Sequence, residues 1–185
     1  MRLILSSVFH LIISLSFAQS SLQTTTGVEM DSLLNRKAYA AIGHPYTEFK
    51  ITSKNGSIDN QSLKGKVVLI NFWFEGCHPC MVEMEAINEL FKKLKSNKDF
   101  VFISLTWDNQ EAIKRVKEKY AFSFEVFSIS GKECQRLNFS SGYPTSIVLD
   151  KTGIVKYWHA GGSLKKDEAD AFIMMTLLSE IQSLL

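Results

Sequence analysis

Apolar and polar residues alternate in blocks along this chain, and the blocks predict strands and helices in turn. Residues 67–74 form a continuous apolar run with β-branched side chains, too short for a helix of its own, which predicts a strand buried on both faces. Residues 80–96 have helical periodicity, with one apolar face and one charged face. Residues 100–105 predict a second buried strand. The centre of the chain is therefore expected to be a strand–helix–strand unit.

The flanking blocks extend this pattern. A hairpin is predicted from residues 49–52, the turn signal Asn55-Gly56 and a return strand that starts at Ser57. Asp108 is expected to cap a helix that runs to Tyr120. Further elements are expected at 124–129 (strand), 132–137 (helix), 146–149 and 154–158 (a hairpin) and 165–184 (helix). Strand–helix alternation predicts parallel pairing, and the terminal hairpin adds antiparallel strands.

The first 18 residues differ in kind from the rest. One positive charge, an apolar run and the small residues Ser16 and Ala18 predict a secretory signal peptide that is cleaved after Ala18. An uncleaved anchor is the less favoured alternative, because the run is shorter than the ~20 apolar residues of a membrane span. Residues 19–46 are polar and weakly patterned, and we expect an N-terminal arm there. Residues 47–185 are then the folded domain.

Composition indicates one ordinary globular domain. The 185 residues are 45% hydrophobic and 22% charged, with a formal net charge of +2. The basic residues are spread along the chain, so there is no electrostatic footprint for nucleic acid. We expect the mature domain to be soluble and monomeric.

The three cysteines carry the candidate chemistry. Cys77 and Cys80 are spaced C-x-x-C, and a disulfide across so small a loop is a poor structural staple, so a redox pair is the better interpretation. Cys77 would lie at a helix N-terminus, where unpaired N–H groups and the helix dipole favour the thiolate that attacks disulfides. Cys80, one turn later, could then resolve the mixed disulfide. Pro79 suits the first helical turn because its missing N–H costs nothing there.

Other uses of the cysteines fit the spacing less well. A zinc site needs about four ligands, and the other possible ligands show no second pair: His44, Cys134 and His159. A c-type haem site would need His directly after the second Cys, where Met81 stands. A peroxidase of related fold would use Thr-x-x-Cys, but Phe74 and Gly131 occupy the Thr positions. No metal or cofactor is therefore expected.

Several motifs, in order, resemble the exported TlpA/ResA-like thiol–disulfide oxidoreductases of the thioredoxin superfamily. Residues 63–73 resemble the family's first core strand, 77–83 match its C-x-P-C-x-x-E pattern and 142–145 match its cis-proline loop. The resemblance covers roughly residues 47–185. It implies an α/β, thioredoxin-like fold: a central mixed sheet of four to five strands flanked by helices, an N-terminal β-hairpin, and an inserted strand–helix unit near 108–127.

The resemblance also implies roles for single residues. Cys77 and Cys80 would form the redox-active disulfide. Glu83 shares their helix face and could take the proton of Cys80 when the mixed disulfide resolves; a first-turn acid that only favours the helix dipole is the alternative. Residues expected to tune the pair are His78, Pro79 and Trp73. Residues expected to bind substrate, next to a cis peptide bond, are Tyr143, Pro144 and Thr145.

The chain departs from the family pattern near the cysteines. Gly76 stands where the family usually has Trp, so an aromatic cover over the site is missing or is supplied by Phe74. Asn71 stands where thioredoxin carries a buried acid. Cys134 is expected to be a buried free thiol, and Trp107 and Trp158 are expected to lie in the core.

These observations predict an exported enzyme that reduces disulfides in envelope proteins, cytochrome c maturation among its uses. In an oxidising compartment such an enzyme needs electrons from a membrane thiol-reductase partner. Two alternatives stay open: a thioredoxin-fold module that binds peptides with little redox turnover, and an oxidase or isomerase tuned by His78.

Overall fold

A computed structural model describes residues 35–53 and 56–185. The predicted signal peptide, residues 19–34 of the predicted arm and Asn55 of the predicted turn lie outside the described residues, so these stay predictions. Residues Lys37–Leu185 form one compact unit. No helix within the described ranges is long and apolar enough to cross a bilayer.

The centre of the fold is a mixed sheet with five strands. They are β3 (Val67–Phe72), β4 (Phe100–Thr106), β5 (Val126–Ser128), β6 (Thr145–Leu149) and β7 (Val155–Ala160). Their order across the sheet is β5-β4-β3-β6-β7. β3, β4 and β5 run parallel, whereas β6 and β7 pair antiparallel. The predicted mixed sheet is confirmed, and every side chain of β3 is buried, as its apolar run predicts.

The predicted N-terminal hairpin forms a separate two-stranded sheet. Strands β1 (Lys50–Ser53) and β2 (Gly56–Asp59) pair antiparallel, with Ile51 opposite Ile58. Ile51 is buried in a cluster with Phe49 on one face of the main sheet. The hairpin therefore covers apolar surface rather than extending the central sheet.

Helices cover both faces of the sheet. They are α1 (Arg36–Ala41), α2 (His78–Leu94), α3 (Gln110–Tyr120), α4 (Gly131–Leu137), α5 (Lys166–Ala171) and α6 (Leu178–Leu184), with a π-helical segment (Phe172–Leu177) between the last two. The sequence did not predict α1, which lies inside the expected arm and buries Ala38. The last helix is a single segment, as expected, but its middle is π-helical.

Alternation along β3 divides the core into two clusters. Val67, Leu69 and the adjoining Trp73 pack with α2 and the C-terminal helices. Val68 and Ile70 pack on the opposite face, as expected for a pleat of period two. β3 thus ends with its α2-facing side chains beneath the turn that carries the cysteines.

Two expectations about the β4–α3 connection were wrong. Asn109, not Asp108, caps α3: its Oδ1 accepts from the Ala112 N–H at 3.0 Å. Asp108 instead accepts from the Glu75 N–H at 2.6 Å, and so ties this connection to the cysteine turn. Trp107 is 37% exposed rather than in the core, whereas Trp158 is buried as expected.

Candidate active site

The cysteines lie where the turn after β3 leads into α2. Cys77 is the N-cap of α2, with an extended backbone, and its Sγ accepts from the Cys80 N–H at 3.3 Å. The two side chains form a disulfide, with their Cα atoms 5.3 Å apart. Pro79 lies in the first turn, where no N–H is needed. Cys77 is 5% exposed and Cys80 is 1% exposed, so Cys77 is the less deeply buried residue of the pair.

The proline loop lies against this turn. The Tyr143–Pro144 peptide bond is cis, as the resemblance implies. The β7–α5 connection packs over both, because a Cβ on Gly162 would lie 3.1 Å from Pro144 Cγ and 3.3 Å from Pro79 Cβ. The structure therefore brings together two of the motifs that lie 65 residues apart in the sequence.

Glu83 is a buried carboxylate in the first half of α2. It is 3% exposed, and its Oε2 would lie 3.4 Å from the same Cβ on Gly162. Burial raises the pKa of the Glu83 carboxyl to about 8, while a hydrogen bond from Asn71 acts in the opposite direction. A carboxyl with this pKa exchanges protons near neutral pH, which is the property a general base needs.

A row of polar side chains crosses the sheet beneath α2. Asn71 is opposite Ser104 on β4 and Ser146 on β6, and Ser146 is opposite His159 on β7. Directly opposite residues share a face of the sheet. The Asn71 amide donates to Ser146 Oγ at 3.2 Å. Asn71 stands where thioredoxin carries a buried acid, and here its amide donates a hydrogen bond instead.

Glu83 and His159 border one cavity of about 320 Å³. His159 packs on Phe172, with ring centroids 4.2 Å apart, and burial lowers the pKa of its imidazole. The β7–α5 connection, including Gly162, forms another wall. Glu83 therefore shares a helix with Cys80 and also borders this cavity, on the side of the C-terminal helices.

Glu75, on the other side of the cysteines, is held as an anion. Arg115 donates to both carboxylate oxygens, Nε to Oε1 at 2.8 Å and Nη2 to Oε2 at 2.6 Å. These hydrogen bonds lower the pKa of the Glu75 carboxyl. Glu75 is thus a weaker proton acceptor than Glu83.

The residues expected to tune the pair have different surroundings. Trp73 is buried, and its Nε1 donates to Ser104 Oγ at 2.7 Å, so it belongs to the polar row. His78 is the exposed first residue of α2 and lies beside Cys77. Phe74 covers the turn at Gly76, because its Cε2 would lie 3.2 Å from a Cβ there.

The residues expected to bind substrate differ in burial. Tyr143 is half-buried beside Phe74. Thr145 is fully buried, and its hydroxyl donates to the Gly142 carbonyl at 2.7 Å, so its side chain supports the loop. Cys134 is a fully buried free thiol, as expected, and burial raises its pKa to about 11.

Sequence reasoning missed His159, Gly162 and the role of Asn71 as a donor to Glu83. Each comes from a different strand or loop, and none belongs to a motif with fixed spacing. Strand register was the one available signal, since Asn71, Ser146 and His159 each lie in a predicted strand or next to its end.

Known proteins are similar to this chain in sequence and in fold. A profile of the Redoxin family matches residues 41–173. Thiol-disulfide oxidoreductase ResA from Bacillus cereus (strain ZK / E33L) is 36% identical over 116 residues, which are 62% of this chain and 66% of that relative. The chain thus spans just under two thirds of that relative's length.

Two further likenesses agree with this match. Thioredoxin-like protein YneN from Bacillus subtilis (strain 168) is 28% identical over 128 residues, 68% of this chain and 75% of the relative. The crystal structure of a thiol:disulfide interchange protein, a thioredoxin family protein from Chlorobium tepidum TLS, superposes with a TM-score of 0.55 at 26% identity, and the match covers 72% of this chain and 95% of that one.

The Redoxin match includes both cysteines, Glu83 and the cis-proline loop, and so it covers every motif on which the resemblance rested. The chain belongs to the Redoxin family and is a ResA-like member of the thioredoxin superfamily.

Proposed function

We propose that this chain is a thiol–disulfide oxidoreductase that reduces protein disulfides through Cys77 and Cys80. The observation that carries the proposal is the placement of this pair at the N-terminus of α2, beside a cis-proline loop and a buried carboxyl with a pKa of about 8. The relatives named as thiol-disulfide oxidoreductases support it.

The reaction would proceed by two exchanges. The Cys77 thiolate attacks one sulfur of the client disulfide, and the other client sulfur leaves as a thiolate that takes up a proton. Cys80, once deprotonated, attacks the Cys77 sulfur and releases the second client thiol. The client gains two electrons and two protons, and the Cys77–Cys80 disulfide of the structure is the product form of the enzyme.

Glu83 is the proposed acceptor for the Cys80 proton. It follows Cys80 by three residues on α2, and residues at this spacing are neighbours on one helix face. Its raised pKa makes it a stronger base than an exposed carboxylate. Glu75 is a poor alternative, because Arg115 already neutralises its charge.

The cellular setting is part of the proposal. The predicted signal peptide supports export to the periplasm or cell envelope, where the mature domain would act as a soluble monomer. Clients would be disulfide-bearing envelope proteins, with cytochrome c maturation as one use, and electrons would come from a membrane thiol reductase. The resemblance to the TlpA/ResA-like family supports these roles.

Insulin reduction by the mature domain, with dithiothreitol as electron donor, tests the activity. We expect turnover by the wild type, none above background by Cys77→Ser, and a trapped mixed disulfide in Cys80→Ser. Reduced Cys77 should alkylate faster than Cys80. A wild type that binds peptides without reducing insulin would instead favour the binding-module alternative, and faster alkylation of Cys80 would reverse the order of attack.

A further inference from the structure

Three aromatic rings form a continuous patch beside the cysteines. Phe74 stacks on Trp107, with centroids 4.5 Å apart and planes 24° apart. Tyr143 meets both rings edge-on, at 5.4 Å from Phe74 and 4.5 Å from Trp107. We call these three side chains the aromatic platform. They come from the cysteine turn, the β4–α3 connection and the proline loop.

Hydrogen bonds fix the backbone segments that carry Phe74 and Trp107. The Asp108 carboxylate accepts from the Glu75 N–H at 2.6 Å, and this bond links the neighbours of Trp107 and Phe74. The Ser128 hydroxyl donates to the Asp108 carbonyl at 2.6 Å. Because the rings are already fixed, a ligand that packs on them loses little additional conformational entropy of the protein.

The platform is also open to a second molecule. Trp107 is 37% exposed, one of the few large apolar side chains in the described chain with so much free surface. The side chain of Glu75, which follows Phe74, is paired internally, because Arg115 donates to both of its carboxylate oxygens. An apolar side chain would therefore gain contact area on the exposed part of these rings.

We propose that the aromatic platform binds an aromatic or large apolar side chain adjacent to the reacting cysteine of the client. This inference rests on the proposed function. The exchange requires the client sulfur to bond to Cys77 Sγ, and consecutive Cα atoms are about 3.8 Å apart. A residue next to the client cysteine is therefore within reach of Phe74, whose carbonyl accepts from the Cys77 N–H at 3.0 Å, and of Tyr143, which precedes the cis proline. The occupant is an extended client segment.

Two matched peptides test the inference. One has the sequence Ser-Phe-Cys-Phe-Ser and the other Ser-Ser-Cys-Ser-Ser, each joined to glutathione through a disulfide. Reduced full domain converts each to the peptide thiol and glutathione and is itself oxidised to the Cys77–Cys80 disulfide. The measured quantity is the ratio of the second-order rate constants, Phe peptide over Ser peptide. Both rates come from one preparation, so the folded fraction cancels.

We expect a ratio of about 10 in the wild type, the scale of one well-placed aromatic contact with its buried area. Trp107→Ala should lower this ratio below about 3, and Trp107→Phe should retain most of it. Tyr39→Ala is the matched control. Tyr39 is 49% exposed and packs on Trp158, on the sheet face opposite α2, so its removal should leave both rates and their ratio unchanged.

A wild-type ratio near one, with both peptides reduced, would overturn the inference and leave the proposed function standing. A ratio that survives Trp107→Ala would also overturn it, because the preference would then come from another surface. Failure to reduce either peptide, or insulin, would refute the proposed function and the inference that rests on it.

Discussion

Two carboxylates flank the cysteines, and their surroundings move their proton affinities in opposite directions. Arg115 stabilises the Glu75 anion and lowers its pKa. Burial destabilises the Glu83 anion and raises its pKa to about 8, even though Asn71 donates a hydrogen bond to it. Of these two carboxyl groups, Glu83 is the one that exchanges a proton near neutral pH, and this difference favours it as the proposed proton acceptor.

Glu83→Gln should slow the second exchange without much change in the first. Glutamine cannot accept the Cys80 proton, so resolution of the mixed disulfide should fall about 100-fold, the low end for loss of a general base. Stopped-flow traces that separate attack from resolution measure this. In the wild type the resolution rate should rise with pH and level off above about 8. In the variant, deprotonation of Cys80 depends on hydroxide in the solvent, so its slower rate should rise with pH without levelling off near 8.

Glu85→Gln is the matched control for this experiment. Glu85 lies on the exposed side of α2, where it pairs with Lys166 at 3.0 Å, so its loss should leave both steps unchanged. Equal slowing of both steps in Glu83→Gln, or of neither, would mean that Glu83 only favours the helix start and that water or Glu75 accepts the proton.

Cys134 should be dispensable for turnover. Burial raises the pKa of its thiol to about 11, so almost none is thiolate at neutral pH. Its polar neighbour is the Tyr143 hydroxyl, which has no oxygen or nitrogen partner within the described chain. Cys134→Ser keeps a polar group there and should leave insulin turnover within a few-fold of wild type. A loss as large as that of Cys80→Ser would place Cys134 in the redox relay.

At the scale of elements, the connection between β7 and α5 packs against both the cysteine turn and the proline loop. Gly162 is the point where Pro79, Glu83 and Pro144 converge. An added methyl group would lie 3.1 Å from Pro144 Cγ, closer than ordinary van der Waals contact, so the neighbours would have to move apart. The distance between the cysteine turn and the proline loop therefore depends on a residue that has no side chain.

Gly162→Ala should lower insulin turnover about tenfold, because overpacking by a methyl group commonly costs 1–3 kcal/mol and here displaces two client-facing segments. Gly131→Ala provides the comparison, since a Cβ on Gly131 would meet nothing within 4 Å. Its turnover should stay within about twofold of wild type, as for most surface changes. Similar activity of the two variants would show that the connection tolerates displacement.

The strands and helices show how far the pattern of apolar residues predicts the fold. Strands 67–74 and 100–105 and the helix at 80–96 came from strong periodicity, and their cores match β3, β4 and α2. The predicted cap of α3 was wrong by one residue, because Asp and Asn are both good N-caps. Asp108 instead accepts a hydrogen bond from the Glu75 N–H, and this leaves Asn109 as the cap. The short helix α1 has too little pattern to be predicted, since only Ala38 is buried.

Some residues of the candidate site could likewise be predicted from the sequence, and others could not. Cys77, Cys80 and Pro144 lie in motifs with fixed spacing, so the sequence could predict them as site residues. Trp107 was expected in the core because large aromatic residues usually are, and its exposure depends on how three loops meet. The partners of Glu83 likewise depend on which strands pair across the sheet, and the pattern within one strand does not specify its neighbours.

For the molecule as a whole, Glu83 links the active site to stability. Its pKa is about 8 in the folded protein and 4.5 as an ordinary glutamate, so the folded state binds the extra proton between these values. Unfolding then releases a proton, and the free energy of unfolding falls as pH rises. The stabilisation from this group is complete below pH 4.5 and is lost as pH passes through 8.

Urea unfolding of the oxidised wild type and Glu83→Gln, from pH 5 to pH 9, measures this linkage. The two proteins should have similar stability near pH 5, where Glu83 is neutral in the folded state and resembles glutamine. By pH 9 the wild type should be less stable than the variant by roughly 5 kcal/mol, the free-energy equivalent of a pKa raised from 4.5 to about 8. His159, whose pKa is lowered, is present in both proteins, so the difference isolates Glu83. Parallel curves would mean that Glu83 ionises at its ordinary pKa in the folded protein, and the case for it as the base would lose its physical ground.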